Sequence, residues 1–376
     1  MRVGRSQKKV SARSVMGGSV VLAMLALAAC GSGSTSEGAS GSSGGKGVIV
    51  EFGASQAEPY LYAQHKAAVA EAKRLGYKLK TIQNQFSASE QNQQIKQYLA
   101  SGERPKAFLI WAVDPEAVVA LAAQLSKIAP VFAENQSVAK GGFKYIKAYT
   151  GANNILVGKV AGENLTALKD KLVKEGHKFR TPGGGVLSIN SPAGLSITNE
   201  RIEGLKGPMD AAGMKLIEDY QGCASPDDCF KAASLLVPKY KDKLDFIYAT
   251  SNSHAAGIIK AVQQSGLKPG KDIWIVTGNC GGPGSVMSNG VYATGGQYAT
   301  VEGAGMIRMI AKYFGAGEKI ATGKKEVLTA GDAAPEVDLT SPPAQYSFLP
   351  NPPLVGADSL DGQIWGAPVK QACPVE

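Results

Sequence analysis

The chain is poor in the residues that metal chemistry needs. Its 376 residues hold three histidines, His65, His177 and His254, and five cysteines. No paired CxxC occurs and no histidine sits beside a cysteine cluster, so a structural zinc site has nothing to build on. Aromatics make up only 7% of the chain. No basic stripe with interleaved aromatics appears, which excludes the usual nucleic-acid footprint. Long apolar runs are also missing. The longest stretch, "SVVLAMLALAA" at residues 19–29, is too short to span a bilayer, and nothing later approaches the required length. "GGPG" at 281–284 lacks the following Lys-Ser/Thr and is not a phosphate loop. Ser253 and His254 are adjacent, so neither helix nor strand geometry lets them face each other as nucleophile and base.

Acids are absent from residues 1–13, which carry Arg2, Arg5, Lys8, Lys9 and Arg13. A basic segment followed by a short apolar one reads as a secretory signal over residues 1–29. Its last four positions, Leu27-Ala28-Ala29-Cys30, resemble a bacterial lipobox, in which the cysteine thiol takes a diacylglycerol. Residues 30–46 are then a Gly/Ser tether, whose fifteen or so residues span roughly 20 Å. The formal charge of +9 is misleading for the mature chain. Five of the 40 basic residues lie in the signal, leaving 35 against 31 acids, or +4.

About 330 residues follow the tether, more than one ordinary core and enough for two lobes. With Cys30 set aside, four cysteines remain in an exported chain, an even number that reads as disulfides. Cys223 and Cys229 bracket the short loop "CASPDDC" and are expected to pair, leaving Cys280 for Cys373.

Strand-like and helix-like segments alternate from Gly47 onward. "GVIVEFG" precedes a helical period at 59–76, and "YKLKTI" precedes a helix opened by the capping box Ser87–Glu90. "KAFLIWA" precedes Asp114-Pro115, read as an N-cap with proline at the first helical position. After a break near 150 the alternation resumes through "GVLSIN", "MKLIEDY", "LDFIYAT", "DIWIVTG" and "VYATGGQ", ending in a helix at 299–314. The fold class is α/β: two Rossmann-like lobes with parallel sheets and helices on both faces. Ligands of such sheets sit outside the carboxyl ends of the strands.

The order of motifs resembles the type 1 periplasmic-binding-protein family, the ribose-binding-like solute receptors of ABC importers. Seven segments carry the likeness in order: "EPYLYAQHKAAVAEAKRLGYKL", "LIWAVDPEAV", "PVFAENQ", "SITNERIEGL", "IYATSNSHAAGI", "IVTGNCGGPGSV" and "YATGGQYATVEGAGM". The resemblance implies three interlobe crossings. The first lobe would hold 47–150 plus 299–327, the second 151–298 plus 328–345, with 346–376 a Pro-rich tail wrapped over the body. It also implies a ligand cleft lined by Tyr60, Trp111, Glu134, Asn135, Arg201, Ser251, Asn252, Asn279 and Gln297. Six of them have a plainer reading. Tyr60 and Trp111 would also suit a core, and Arg201 would pair with Glu200 or Glu203 on a solvated face. Glu134 would serve as a structural acceptor, and Asn279 and Gln297 as loop and hinge residues.

Aromatic faces with amides and a guanidinium suit a polyhydroxylated ligand. Many sugar receptors have Asp-Arg where this chain has Glu134-Asn135, and Phe-Asp-Gly where it has Gly278-Asn279-Cys280. A simple pentose or hexose is therefore not the only ligand to expect, and a polyol or modified sugar fits as well. The reading is a lipid-anchored, extracytoplasmic, monomeric binding protein with no cofactor and no enzymatic activity, delivering a small polar ligand to an ABC permease. A sensory receptor subunit is the alternative, and an extracytoplasmic hydrolase a weaker one.

Overall fold

The computed structural model describes residues 45–281, 285–317, 320, 324–327, 336–340, 344–348 and 353–373, with the backbone alone given for Gly296 and for the strands between 324 and 348. The expected signal, Cys30 lipobox and tether lie outside the described residues. Among the described residues no helix is long and apolar enough to cross a membrane.

Five strands open the chain: β1 (Gly47–Ala54), β2 (Tyr77–Asn84), β3 (Ala107–Ile110), β4 (Val131–Glu134) and β5 (Ile146–Ala152). Five more follow: β6 (Gly185–Asn190), β7 (Lys215–Gln221), β8 (Phe246–Ala249), β9 (Trp274–Asn279) and β10 (Val291–Gln297). Late strands are β11 (Lys324–Val327), β12 (Glu336–Thr340), β13 (Ala344–Phe348) and β14 (Leu354–Val355). The helices are α1 (Pro59–Arg74), α2 (Ala88–Ser101), α3 (Val119–Leu125), α4 (Asn154–Lys174), α5 (Ser196–Ala211), α6 (Pro226–Tyr240), α7 (Asn252–Gln264), α8 (Ser285–Ser288), α9 (Ala299–Gly315) and the short α10 (Val369–Ala372).

One sheet runs β11-β12-β13-β5-β4-β3-β1-β2 and the other β14-β10-β9-β8-β6-β7. The two parallel cores repeat one doubly wound order, second-first-third-fourth-fifth, so each lobe has a switch point beside its first strand. Strands covered by helices on both faces should be apolar throughout. "AFLI" of β3 and "FIYA" of β8 are buried at every position.

Local chemistry sets the helix ends. Glu58 caps α1 by accepting from the Leu61 backbone at 2.9 Å, and Pro59 pre-sets the first turn. Ser87 accepts from Glu90 N to open α2, which stops at Gly102 in the left-handed conformation. Asp114 behaves differently from expectation. Its Oδ1 accepts from Glu116 and Ala117, closing a turn, and α3 starts only at Val119.

Helices α4 and α5 approach closely because each presents a glycine. A Cβ on Gly158 would lie 2.0 Å from the Arg201 carbonyl, and one on Gly204 2.0 Å from that of Ile155. This contact seats α5, and with it Arg201, against the start of α4.

The strand pairing corrects the expected boundary after the last crossing helix. Both β12 and β13 pair in the first sheet, β13 parallel to β5. Residues 336–340 and 344–348 therefore do not join the second lobe, because the open edge of β5 offers them unpaired backbone groups. The chain returns to the second sheet at β14, which pairs antiparallel with β10. Beyond it, Leu360, Ile364 and Val369 are buried, and the Trp365 ring stands edge-on to Tyr298 at 4.9 Å. Cys373 thereby meets Cys280, placed as a disulfide with Cα atoms 5.5 Å apart. The expected Cys223–Cys229 bridge is not formed. Both are buried thiols, Cys223 beyond β7 and Cys229 in the first turn of α6, and burial pushes the Cys229 thiol upward.

Candidate functional site

The carboxyl ends of the two sheets face each other across a cavity with about 40 Å³ of room for the centres of water-sized molecules. From the first lobe come Glu58, Tyr60 and Leu61 after β1, Phe86 after β2, Trp111 after β3 and Asn135 after β4. The second lobe supplies Arg201 on α5, Ser251 and His254 at the start of α7, and Asn279 at the end of β9. Gln297 stands where the chain crosses back into α9.

A buried network ties these groups together. The Arg201 guanidinium, 1% exposed, donates to Asn154 Oδ1 at 3.0 Å, to the Thr250 carbonyl at 3.0 Å, and to Gln297 Oε1. Gln297 Nε2 donates to Glu302 at 2.9 Å. Glu302 also accepts from Asn135 Nδ2 at 3.1 Å and from the Tyr60 hydroxyl. Asn135 Oδ1 takes the indole N–H of Trp111 at 3.1 Å, and the Phe86 ring stands edge-on to Trp111 at 5.8 Å. Both Phe86 and Asn135 have positive φ, 57° and 50°. Such strain in non-glycine residues concentrates where side chains are held for a purpose.

The lobes also touch directly. Ser253 of α7 donates to Glu58, and Gln136 accepts from the Ser196 hydroxyl and from Ile197 N at 3.2 Å. Gly281 lies against Tyr60, where a Cβ would come within 2.4 Å of the ring. The structure is thus of the closed form.

Burial governs the titration of this site. It raises the carboxyls of Glu58 and Glu302 above their ordinary range, against the lowering effect of their hydrogen bonds. The Tyr60 hydroxyl is pushed well up by burial and by Glu302. The imidazole of His254 is lowered to about 4, by burial first and then by Arg201, so it is neutral at pH 7. Among the described residues its Nδ1 is buried without a hydrogen-bond partner. No group of three His, Cys, Asp or Glu among the described residues is arranged to hold a metal.

Seven of the nine expected cleft residues border the cavity: Tyr60, Trp111, Asn135, Arg201, Ser251, Asn279 and Gln297. Glu134 and Asn252 do not. Burial first, and then the neighbouring Glu51, push the Glu134 carboxyl well up in the body of the first lobe. Asn252 Oδ1 accepts from Thr277 at 2.6 Å and stitches α7 to β9. Sequence reasoning missed Glu58, Phe86, His254 and Glu302. The one signal for Glu302 was a lone acid in a largely apolar helix.

Residues 50–319 match the family model described as a periplasmic binding protein domain. The galactofuranose-binding protein YtfQ of Escherichia coli (strain K12) is 26% identical over 229 residues, covering 58% of this chain and 66% of that protein, just under two thirds of its length. A crystal structure of a galactofuranose binding protein superposes with a TM-score of 0.62 at 20% identity, covering 73% of this chain and 90% of that one. A Caulobacter myo-inositol binding protein gives 0.59 at 20% identity, covering 78% and 93%. At these identities the likeness to the solved structures is one of fold. The family match spans well over half of the chain and coincides with the two doubly wound lobes and the cavity between them; the chain belongs to the type 1 periplasmic-binding-protein family.

Proposed function

We propose that this chain is an extracytoplasmic solute-binding lipoprotein that captures a sugar, polyol or related small ligand and delivers it to an ABC permease. It is a binding protein and not an enzyme. The observation that carries the reading is the cavity itself. Three aromatic side chains, Tyr60, Phe86 and Trp111, line it together with amides, a hydroxyl and a guanidinium. Aromatic faces suit the apolar faces of a sugar ring, and groups that donate and accept suit its hydroxyls.

Each lobe alone would hold part of the ligand, so binding favours the closed form by differential affinity. Delivery then needs only a permease that recognises that form. Attachment through a lipid on Cys30 would keep the receptor near it. A Cys280–Cys373 bridge would pin the tail across the second lobe, and mass mapping of non-reduced peptides should recover the cross-linked pair.

The test is a thermal-shift screen of the purified protein against sugars, polyols, amino acids and nucleosides. A ligand that binds only the folded state raises its melting temperature. A saturable rise with a sugar or polyol, and no turnover of it, is expected. A rise with amino acids or nucleosides alone would overturn the assignment.

A further inference from the structure

We infer that the cleft is built for a ligand bearing an ammonium group, an amino sugar or aminopolyol, whose charge is met by Glu58. The inference rests on the sugar-binding reading above and narrows it.

Glu58 borders the cavity and is 7% exposed. It accepts from Ser253 Oγ and from Leu61 N at 2.9 Å. Both partners are donors, so the carboxyl serves as an acceptor at each contact. A carboxylate has about four lone-pair sites, which leaves some to point at a ligand. No lysine or arginine among the described residues forms an ion pair with it. Arg201, the one cation lining the cavity among the described residues, spends its contacts on Asn154, Thr250 and Gln297.

The second buried acid, Glu302, also meets only donors: Tyr60, Asn135 and Gln297. Two buried acids thus stand near one guanidinium, and burial, which raises both carboxyls, marks the cost of a negative charge that no second cation among the described residues meets. An uncompensated buried charge is costly, and a ligand of opposite charge relieves that cost. A further group at the cavity lacks a partner. His254 is 3% exposed, its ring borders the cavity, and its Nδ1 has no partner among the described residues. A neutral imidazole offers an acceptor nitrogen, and an ammonium brings three donors and no acceptor. The rings of Tyr60, Phe86 and Trp111 add faces that attract a cation.

The experiment is calorimetric titration at pH 7 of the purified chain with matched pairs: D-glucose and D-glucosamine, D-galactose and D-galactosamine, myo-inositol and an aminodeoxy-inositol. The amine of at least one pair should bind tighter than its neutral counterpart by on the order of tenfold or more, the scale of a hydrogen bond to a charged group. That preference should vanish in Glu58→Gln, with the unliganded melting curve recorded beside it. Neutral members binding as well as or better than every amine would overturn the inference and leave the sugar-binding reading standing. A preference that persists in a folded Glu58→Gln would also overturn it. Failure of both members of every pair would overturn the sugar-binding reading as well. The wild-type pairs decide the charge preference even if the variant does not fold.

Discussion

Replacing Arg201 with alanine should destabilise the unliganded protein, not merely empty the cleft. The side chain is 1% exposed and donates to Asn154, Thr250 and Gln297, which belong to three different segments. A hydrogen bond to a charged group contributes about 1.5–3 kcal/mol, and three that share one donor group do not add. Truncation also leaves the Asn154 and Thr250 oxygens and Gln297 Oε1 without their Arg201 donor, and removes a cation that acts on Glu302. Breaking a buried charged network by deleting one partner costs about 3–5 kcal/mol, and that is the expected loss. Against a total of about 5–15 kcal/mol for a domain, this is a large share. The assay is urea unfolding of wild type and variant without ligand, with the slope checked for unchanged two-state behaviour. A loss below about 1 kcal/mol would refute the reasoning and make Arg201 a cleft donor alone, as the sequence suggested.

Other consequences are as direct. His254 has a folded pKa of about 4 against an unfolded 6.5, so the folded state binds fewer protons between those values. Its contribution is whole above pH 6.5 and lost as the pH falls to 4; at pH 5 wild type should have lost about 2 kcal/mol relative to His254→Gln. Buried Glu58, Glu302 and Glu134 shift the opposite way, so the difference between the two denaturation series, and not either alone, is the measurement. Gly281→Ala drives a Cβ into the Tyr60 ring across the cleft; calorimetry should show weaker binding of the ligand from the screen, with unfolding of the unliganded, open form little changed. Cys30→Ser should release the chain from the membrane fraction on cell fractionation, and unchanged detergent dependence would count against the lipid anchor.

Much of this fold was legible because strongly periodic segments decide their own structure. The helix read at 299–314 is α9 to within one residue, and β6 and β10 match "GVLSIN" and "VYATGGQ". What escaped was set by tertiary contact. β5 lies in the break near residue 150 and is defined by its neighbours β4 and β13. The late strands are short and mostly polar, are separated by proline-containing segments, and exist by adding to an open sheet edge. Asp114-Pro115 has the chemistry of a helix start, but the chain first spends a turn before α3. In the site, loop positions after strands were readable, hence seven residues placed at the cavity. Glu134 and Asn252 sit next to residues that do line it, and a one-residue step in a strand or helix turns a side chain elsewhere. Glu58, His254 and Glu302 are partnered or left unpartnered only in three dimensions, so no local pattern singles them out.

The central claim, that ligand is held in the interlobe cavity, has a direct optical test. Trp111 is one of three tryptophans and borders the cavity, whereas Trp274 and Trp365 lie elsewhere. With Trp274 and Trp365 changed to phenylalanine, Trp111 becomes the sole reporter, and the ligand from the screen is titrated against its emission. The account predicts a saturable, one-to-one change whose midpoint matches the calorimetric affinity of the same variant. Calorimetric binding with the Trp111 emission unchanged in both position and intensity would contradict it.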